Sequence, residues 1–183
     1  MLLKTKDMEA QPLAFAHTWQ PGEFDFTESG MSQGTPLTAR GTAELVEYSP
    51  GEVRVHGHVQ TTLSTECDRC LAPATYPVDT PFDLRYRPAG ETDEATDEEI
   101  AIDEEEAEIG FYDPPGIILE DVLREQILLQ IPMRRLCSED CAGICPVCGG
   151  NRNEIPCNCE THPTDDRWAG LTGLKIDSPK PTV

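Results

Sequence analysis

Six of the eight cysteines fall within twenty-three residues, at Cys137, Cys141, Cys145, Cys148, Cys157 and Cys159. The middle of the run reads Cys145-Pro146-Val147-Cys148-Gly149-Gly150, in which two thiolates can close on one metal ion while glycine allows the backbone to turn. The other two, Cys67 and Cys70, form a second Cys-x-x-Cys far upstream. Zinc takes four ligands at tetrahedral corners, and thiolates suit it. One arrangement is a single zinc on Cys145 and Cys148 with two of Cys137, Cys141, Cys157 and Cys159. Another brings Cys67 and Cys70 across to complete a second site. His162 could replace a thiolate. Structural zinc is the expectation, with all eight cysteines as candidate ligands.

Other chemistries fit less well. Thioredoxin-like dithiols open a helix within a βαβ pattern. Here one pair falls between strand patterns and the other in a glycine-rich stretch. A thiol redox or redox-sensing protein is therefore the alternative reading. Spacing alone leaves an iron–sulfur cluster open. A catalytic zinc keeps an open position beside a base, and no such constellation is legible. His56 and His58 share one strand face and read as polar surface positions. The chain has no phosphate-binding loop and no nucleophile elbow, so a small-molecule substrate and an enzymatic role are not expected. No stretch approaches a membrane span, and the first residues lack the apolar run of a secretory signal. The cytoplasm is the expected location, where paired cysteines are more often metal ligands than disulfides.

The elements that must position these cysteines follow from hydrophobic period. Leu37 to Leu45 and Val53 to Leu63 alternate, with Val53, Val55, Val59 and Leu63 on one face and Arg54, His56, His58 and Gln60 on the other. This predicts two half-buried strands joined through Ser49-Pro50-Gly51. Ala74 to Arg87 predicts a third strand, which Pro77 and Pro81 place at an edge or a bulge. The first cysteine pair thus sits at a strand-to-strand tip. Ile117 to Ile131 carries a helical stripe of Ile118, Val122 and Leu129 with Leu119, Leu123 and Ile127, preceded by Pro114-Pro115 and closed by Pro132. Residues 1–36 read as irregular, with Trp19, Phe24 and Phe26 as anchors. The predicted fold is α+β, a mostly antiparallel sheet or partial barrel with one main packed helix and a small zinc-ribbon-like module. The expected division is 1–36, 37–131, a cysteine-rich 132–174, and a flexible tail 175–183.

Net charge is −20, and eleven acidic residues with no basic one lie between Glu91 and Glu108. That segment, 91–108, reads as a solvated acidic loop. The balance argues against a whole-surface grip on nucleic acid, which rests on cationic patches.

Taken in order, the motifs resemble the YceD family of large-subunit ribosomal RNA accumulation proteins. The resemblance is carried by Cys67-Asp68-Arg69-Cys70-Leu71, the acidic segment, Leu119-Glu120-Asp121-Val122-Leu123, Ile131-Pro132-Met133, and Leu136-Cys137 through Cys148-Gly149. Asn151, Asn153, Cys157, Cys159 and Asp166-Arg167-Trp168-Ala169-Gly170-Leu171 complete it. It implies a non-enzymatic role in ribosome biogenesis, supporting accumulation or processing of large-subunit ribosomal RNA. The implied partners are that RNA and/or a ribosomal protein. Arg69, Arg134, Arg135, Arg152, Arg167 and Trp168 are the candidate contacts, since arginine meets phosphate and stacks on bases and tryptophan stacks. The acidic stretch could instead engage a basic ribosomal protein.

Overall fold

The computed structural model describes residues 1–89, 109–159 and Arg167. The acidic loop 91–108, His162, Trp168 and the tail 175–183 lie outside the described residues. The two alternating segments form the long strands β4 (Leu37–Leu45) and β5 (Val53–Glu66), paired antiparallel through Thr38↔Gln60 to Leu45↔Val53. The third, β6 (Pro73–Pro88), pairs with β5 along its length, from Val53↔Tyr86 to Glu66↔Pro73. The alternation decides which face is buried: Leu37, Ala39, Ala43, Val53, Val55, Val59, Leu63, Val78 and Phe82 all point into the core. Their intervening polar neighbours line the outer face, where Arg54 meets Asp83 in a bidentate pair at 2.8 and 2.6 Å.

Residues 1–36 depart from the expectation of an irregular path. They hold β1 (Leu2–Lys4), the short α1 (Thr5–Met8), β2 (Leu13–Trp19) and β3 (Ser32–Gln33). β2 pairs with β4 over seven residues, and β3 pairs with β5 beyond the end of β4. The alternation in β2 is short and its outward positions include Ala14 and Ala16, so the apolar–polar contrast is weak. Trp19, Phe24 and Phe26 do anchor the segment, in ring contacts of 5.6 and 5.0 Å between centroids.

β7 (Ile109–Tyr112) runs parallel to β6 and pairs only with Arg85 to Pro88. The main sheet has the order β2-β4-β5-β6-β7, with β3 beside β5. β8 (Gly116–Ile118) pairs with β1 in a separate two-stranded sheet. The helix α2 spans Leu119–Leu129. Leu119, Val122, Leu123 and Ile127 are buried in the same cluster as the sheet, as the stripe predicts. Ile118 and Leu129 are not part of it, being 51% and 68% exposed. Ile118 belongs to β8 and precedes the first turn, and Leu129 closes the last. Eleven residues are too few for a stable isolated helix, so burial of that face, about 1.5–3 kcal/mol for each fully buried side chain, holds it.

The centre of the sheet is unusually close-packed. Gly41 pairs directly with Gly57. A Cβ on Gly41 would stand 2.7 Å from Phe15 Cζ, and one on Gly57 3.0 Å from Phe82 Cζ. The paired glycines leave the space that the two rings fill. The architecture is therefore α+β, with a mostly antiparallel mixed sheet, one main helix, and a cysteine cluster after it.

Candidate metal centre

Each Cys-x-x-Cys folds the backbone into the same turn. At the β5–β6 tip, Leu71 N donates to Cys67 O at 3.0 Å and Cys67 N to Ala72 O at 2.8 Å. In the later segment, Gly149 N donates to Cys145 O and Cys145 N to Gly150 O, both at 2.9 Å. The residue after the second cysteine is left-handed in both turns, with φ of 61° at Leu71 and 72° at Gly149. The turn aims backbone N–H groups at sulfur, as Arg69 N does at 3.5 Å from Cys67 Sγ.

The eight thiols divide into two groups of four. Cys67 and Cys70 meet Cys137 and Cys141, which come from the segment after α2. Cys145, Cys148, Cys157 and Cys159 form the other group within one local segment. In each group the sulfurs lie within 4.8 Å of one another. In the first, Cys67 Sγ is 3.7 Å from Cys141 Sγ and Cys70 Sγ is 3.5 Å from Cys137 Sγ. A disulfide would require about 2.05 Å, so these are free thiols. Four thiolates bonded at about 2.3 Å to one tetrahedral ion have S···S edges of about 3.8 Å. Both groups could hold a metal ion. Of the open arrangements, the one that sends the upstream pair across to the later cysteines matches this geometry.

Electrostatics within the groups point the same way. Burial pushes the Cys67 thiol up, but the N–H groups of Arg69, Cys137 and Cys70 outweigh it and bring it to about 6. The N–H groups of Cys148 and Val147 bring the Cys145 thiol to about 6. Their neighbours move oppositely. The Ala72 N–H pulls Cys70 down, yet burial and the adjacent Cys137, Cys67 and Cys141 sulfurs push it up to about 12. Cys159 is pushed up to about 12, chiefly by the Cys148 sulfur and then by burial. Cys141 is also lowered despite burial, chiefly by the Asn153 side chain and the Gly143 N–H. Cys137 and Cys157 are raised on balance by neighbouring sulfurs, which resist further negative charge at close range. A dication removes that repulsion.

The first group is fastened from both sides. Asp68 N donates to Arg135 O at 2.7 Å and Arg135 N to Asp68 Oδ2 at 2.6 Å. Tyr76 OH donates to Leu136 O at 2.8 Å, and Ile144 N to Arg69 O at 2.9 Å. A small buried cluster of Cys67, Cys70, Ala74 and Cys141 results, separate from the main core.

The candidate contact residues part company here. Arg69 Nη1 donates to Cys141 O at 2.9 Å within the module, and Arg135 Nη1 donates to Ser29 O at 2.9 Å, tying the module to the N-terminal segment. Arg134 and Arg152 are exposed, and their side chains bond no group among the described residues. Arg167 is exposed. His58 Nε2 lies 2.8 Å from Asp79 Oδ1 on the outer sheet face, and neither His56 nor His58 belongs to either sulfur group. Spacing did not single out Asp68, Tyr76 or Asn153 as supports. Asn153 donates through Nδ2 to Cys141 Sγ at 3.4 Å, and only its place in the ordered motif set marked it.

Residues 55–175, about two thirds of the chain, match the family described as Large ribosomal RNA subunit accumulation protein YceD. The chain belongs to the YceD family. Both sulfur groups lie inside the matched span. Among curated relatives, uncharacterized proteins of Mycobacterium bovis and Mycobacterium tuberculosis are 32% identical over 137 residues, covering 70% of this chain and 58% of theirs. The chloroplastic YCED homolog 1 of Arabidopsis thaliana, named a large ribosomal RNA subunit accumulation protein, is 25% identical over 182 residues, covering 81% of this chain and 57% of its own. This YceD-family chain thus spans a little under three fifths of the length of the curated relatives it matches. No solved structure matches it. Among the described residues, no helix is long and apolar enough to cross a membrane.

Proposed function

We propose that this YceD-family chain is a non-enzymatic binding factor that supports accumulation or processing of large-subunit ribosomal RNA, acting in the cytoplasm. Two structural zinc ions would build its contact surface. The family's description supplies the process. The observation that carries the mechanism is the pair of four-sulfur groups: all four tetrahedral corners are thiolate, which leaves no open position for a substrate or water. Sulfurs this close suit a single ion, whereas a multi-iron cluster spreads its cysteines farther apart. An ion with four thiolates carries a net charge of about −2, and Arg69 and Arg135 beside the first group offset it. Those two arginines are thus assigned to the module. Arg134 and Arg152 are assigned to RNA phosphates or a ribosomal protein, with Arg167 and Trp168 as further contacts.

The test has two parts. Elemental analysis of protein purified without chelator should find about two zinc ions per chain. Metal-free protein whose dithiols cycle with glutathione would support the redox reading instead. Crosslinking in cells should recover large-subunit ribosomal RNA or ribosomal proteins, and Arg134→Glu with Arg152→Glu should cut that yield at unchanged metal content. Recovery of neither class overturns the ribosomal role.

A further inference from the structure

The two sulfur groups are joined by one side chain. Asn153 lies between Cys148 and Cys157, within the loop that the second group closes. Its amide nevertheless serves the first group. Oδ1 accepts from Ala142 N at 2.7 Å, and Nδ2 lies 3.4 Å from Cys141 Sγ. Among the described residues, it is the side-chain nitrogen that bonds a sulfur of either group.

The amide is held in this orientation. Nδ2 also donates to Asn151 Oδ1 at 2.8 Å, which accepts Asn153 N at 3.0 Å as well. Asn151 Nδ2 in turn donates to Glu154 Oε1 at 2.9 Å. Arg152 N donates to Gly143 O at 2.9 Å, and Ile144 bridges to Asn151. The loop that carries Asn153 is therefore laid against residues 141–144, which lead out of the first group. That loop has no helix or extended strand of its own, and its order depends on closure by the cysteines that flank it.

We propose that Asn153 is a positioning residue that couples the two metal groups. An ion on Cys145, Cys148, Cys157 and Cys159 fixes the loop, which sets Asn153 against Cys141 and Ala142. The Cys67, Cys70, Cys137 and Cys141 group then binds its ion more tightly, because the cost of ordering its support has already been met. The coupling is reciprocal, as linkage requires. The like charges of two filled sites oppose it, but solvent ions screen that repulsion, while the hydrogen bonds act by direct contact. The inference rests on the metal reading proposed above.

The experiment uses the whole chain, reduced, anaerobic and stripped of metal, titrated with zinc. Native mass spectrometry at one zinc per chain counts the species. Coupled sites give mainly metal-free and doubly loaded protein, whereas independent equal sites give singly loaded protein in about half the molecules. Zinc competition against a chromophoric chelator then reads each affinity. Asn153→Ala should weaken the Cys67 group about 10–100-fold, the usual effect of losing a supporting hydrogen bond to a ligand. Measured with Cys70→Ser in the background, it should leave the Cys145 group unchanged. A general structural defect would lower both. Asn153→Asp keeps the acceptor for Ala142 N but presents a carboxylate to the sulfur, so it should weaken the first group at least as much as alanine.

Cys157→Ser, which disables the second group, should weaken the first in the presence of Asn153 and add nothing further to Asn153→Ala. If the first group's affinity is unmoved by Cys157→Ser, or wild-type loading is independent, the coupling is overturned. The wild-type distribution decides this even where a variant fails to fold. Wild-type protein that binds no zinc at either group would overturn the metal reading itself.

Discussion

Leu71 shows what one residue contributes to the site. It occupies the left-handed position that Gly149 fills in the other turn, with φ of 61° against 72°, and its side chain is 59% exposed. A residue bearing a Cβ is strained there by roughly 1–2 kcal/mol. Glycine removes that strain but adds chain entropy to the unfolded state, about 0.4–1 kcal/mol. Leu71→Gly should therefore stabilise the metal-loaded protein by roughly 0.5–1 kcal/mol, raising the midpoint of a calorimetric melt by a few degrees. A lowered midpoint would mean that the leucine makes contacts that outweigh its strain. The residue types of the site were legible because thiolate spacing is local. The partition was not, since Cys67 and Cys141 are 74 positions apart and only the fold brings them together. The arginines show the same limit: sequence marks Arg69 and Arg134 alike as cations, and only hydrogen-bond partners separate an internal brace from an exposed cation.

At the scale of elements, hydrophobic period carried most of the reading. Alternation located β4, β5 and β6 because one face of each is buried and the other wet. It lost β2, whose outward alanines blur the contrast, and it placed Ile118 on a helical stripe although pairing with β1 claims that residue for a strand. The prolines of β6 were more informative. Pro77 and Pro81 lie opposite Thr62 and His58 in a continuous ladder with β5. A proline fits such a ladder where its nitrogen faces away from the partner strand, which sets both nitrogens on the other edge. Among the described residues, only Arg85 to Pro88 of that edge are paired, by β7. The two prolines thus remove donors from an edge that could otherwise template another chain. Replacing both, Pro77→Thr with Pro81→Thr, should increase concentration-dependent self-association in sedimentation velocity while leaving the metal content unchanged. Equal association of both proteins would show that the edge is blocked by something other than its missing donors.

At the scale of the whole molecule, the separation of two buried clusters governs what metal does. The main core includes Leu3, Val55, Val59, Phe82 and Leu123 but no cysteine. Three cysteines of the first group, Cys67, Cys70 and Cys141, lie in their own small cluster with Ala74, flanked by Tyr76, Leu136 and Ile144, while Cys137 is exposed. A chain of this length buries enough apolar surface to fold around the main core without help from an ion. The segment after α2 has no comparable core, and its described backbone bonds run within itself or to the Cys67–Cys70 turn. Removing metal with a chelator under reducing conditions should therefore unfold one part and spare the other. In hydrogen exchange, amides of β5 from Val55 to Leu63 should keep their protection. Those of Cys141, Ile144, Cys145, Gly149 and Arg152, which donate the bonds of the module, should lose it by a factor of at least about ten, and recover it when zinc is returned. Leu71 and Ala72 are the informative boundary, because their turn belongs to the sheet by sequence and to the metal by contact. If β5 loses protection together with the module, the ion supports the entire fold, and the surface carrying Arg134 and Arg152 cannot be switched separately from it.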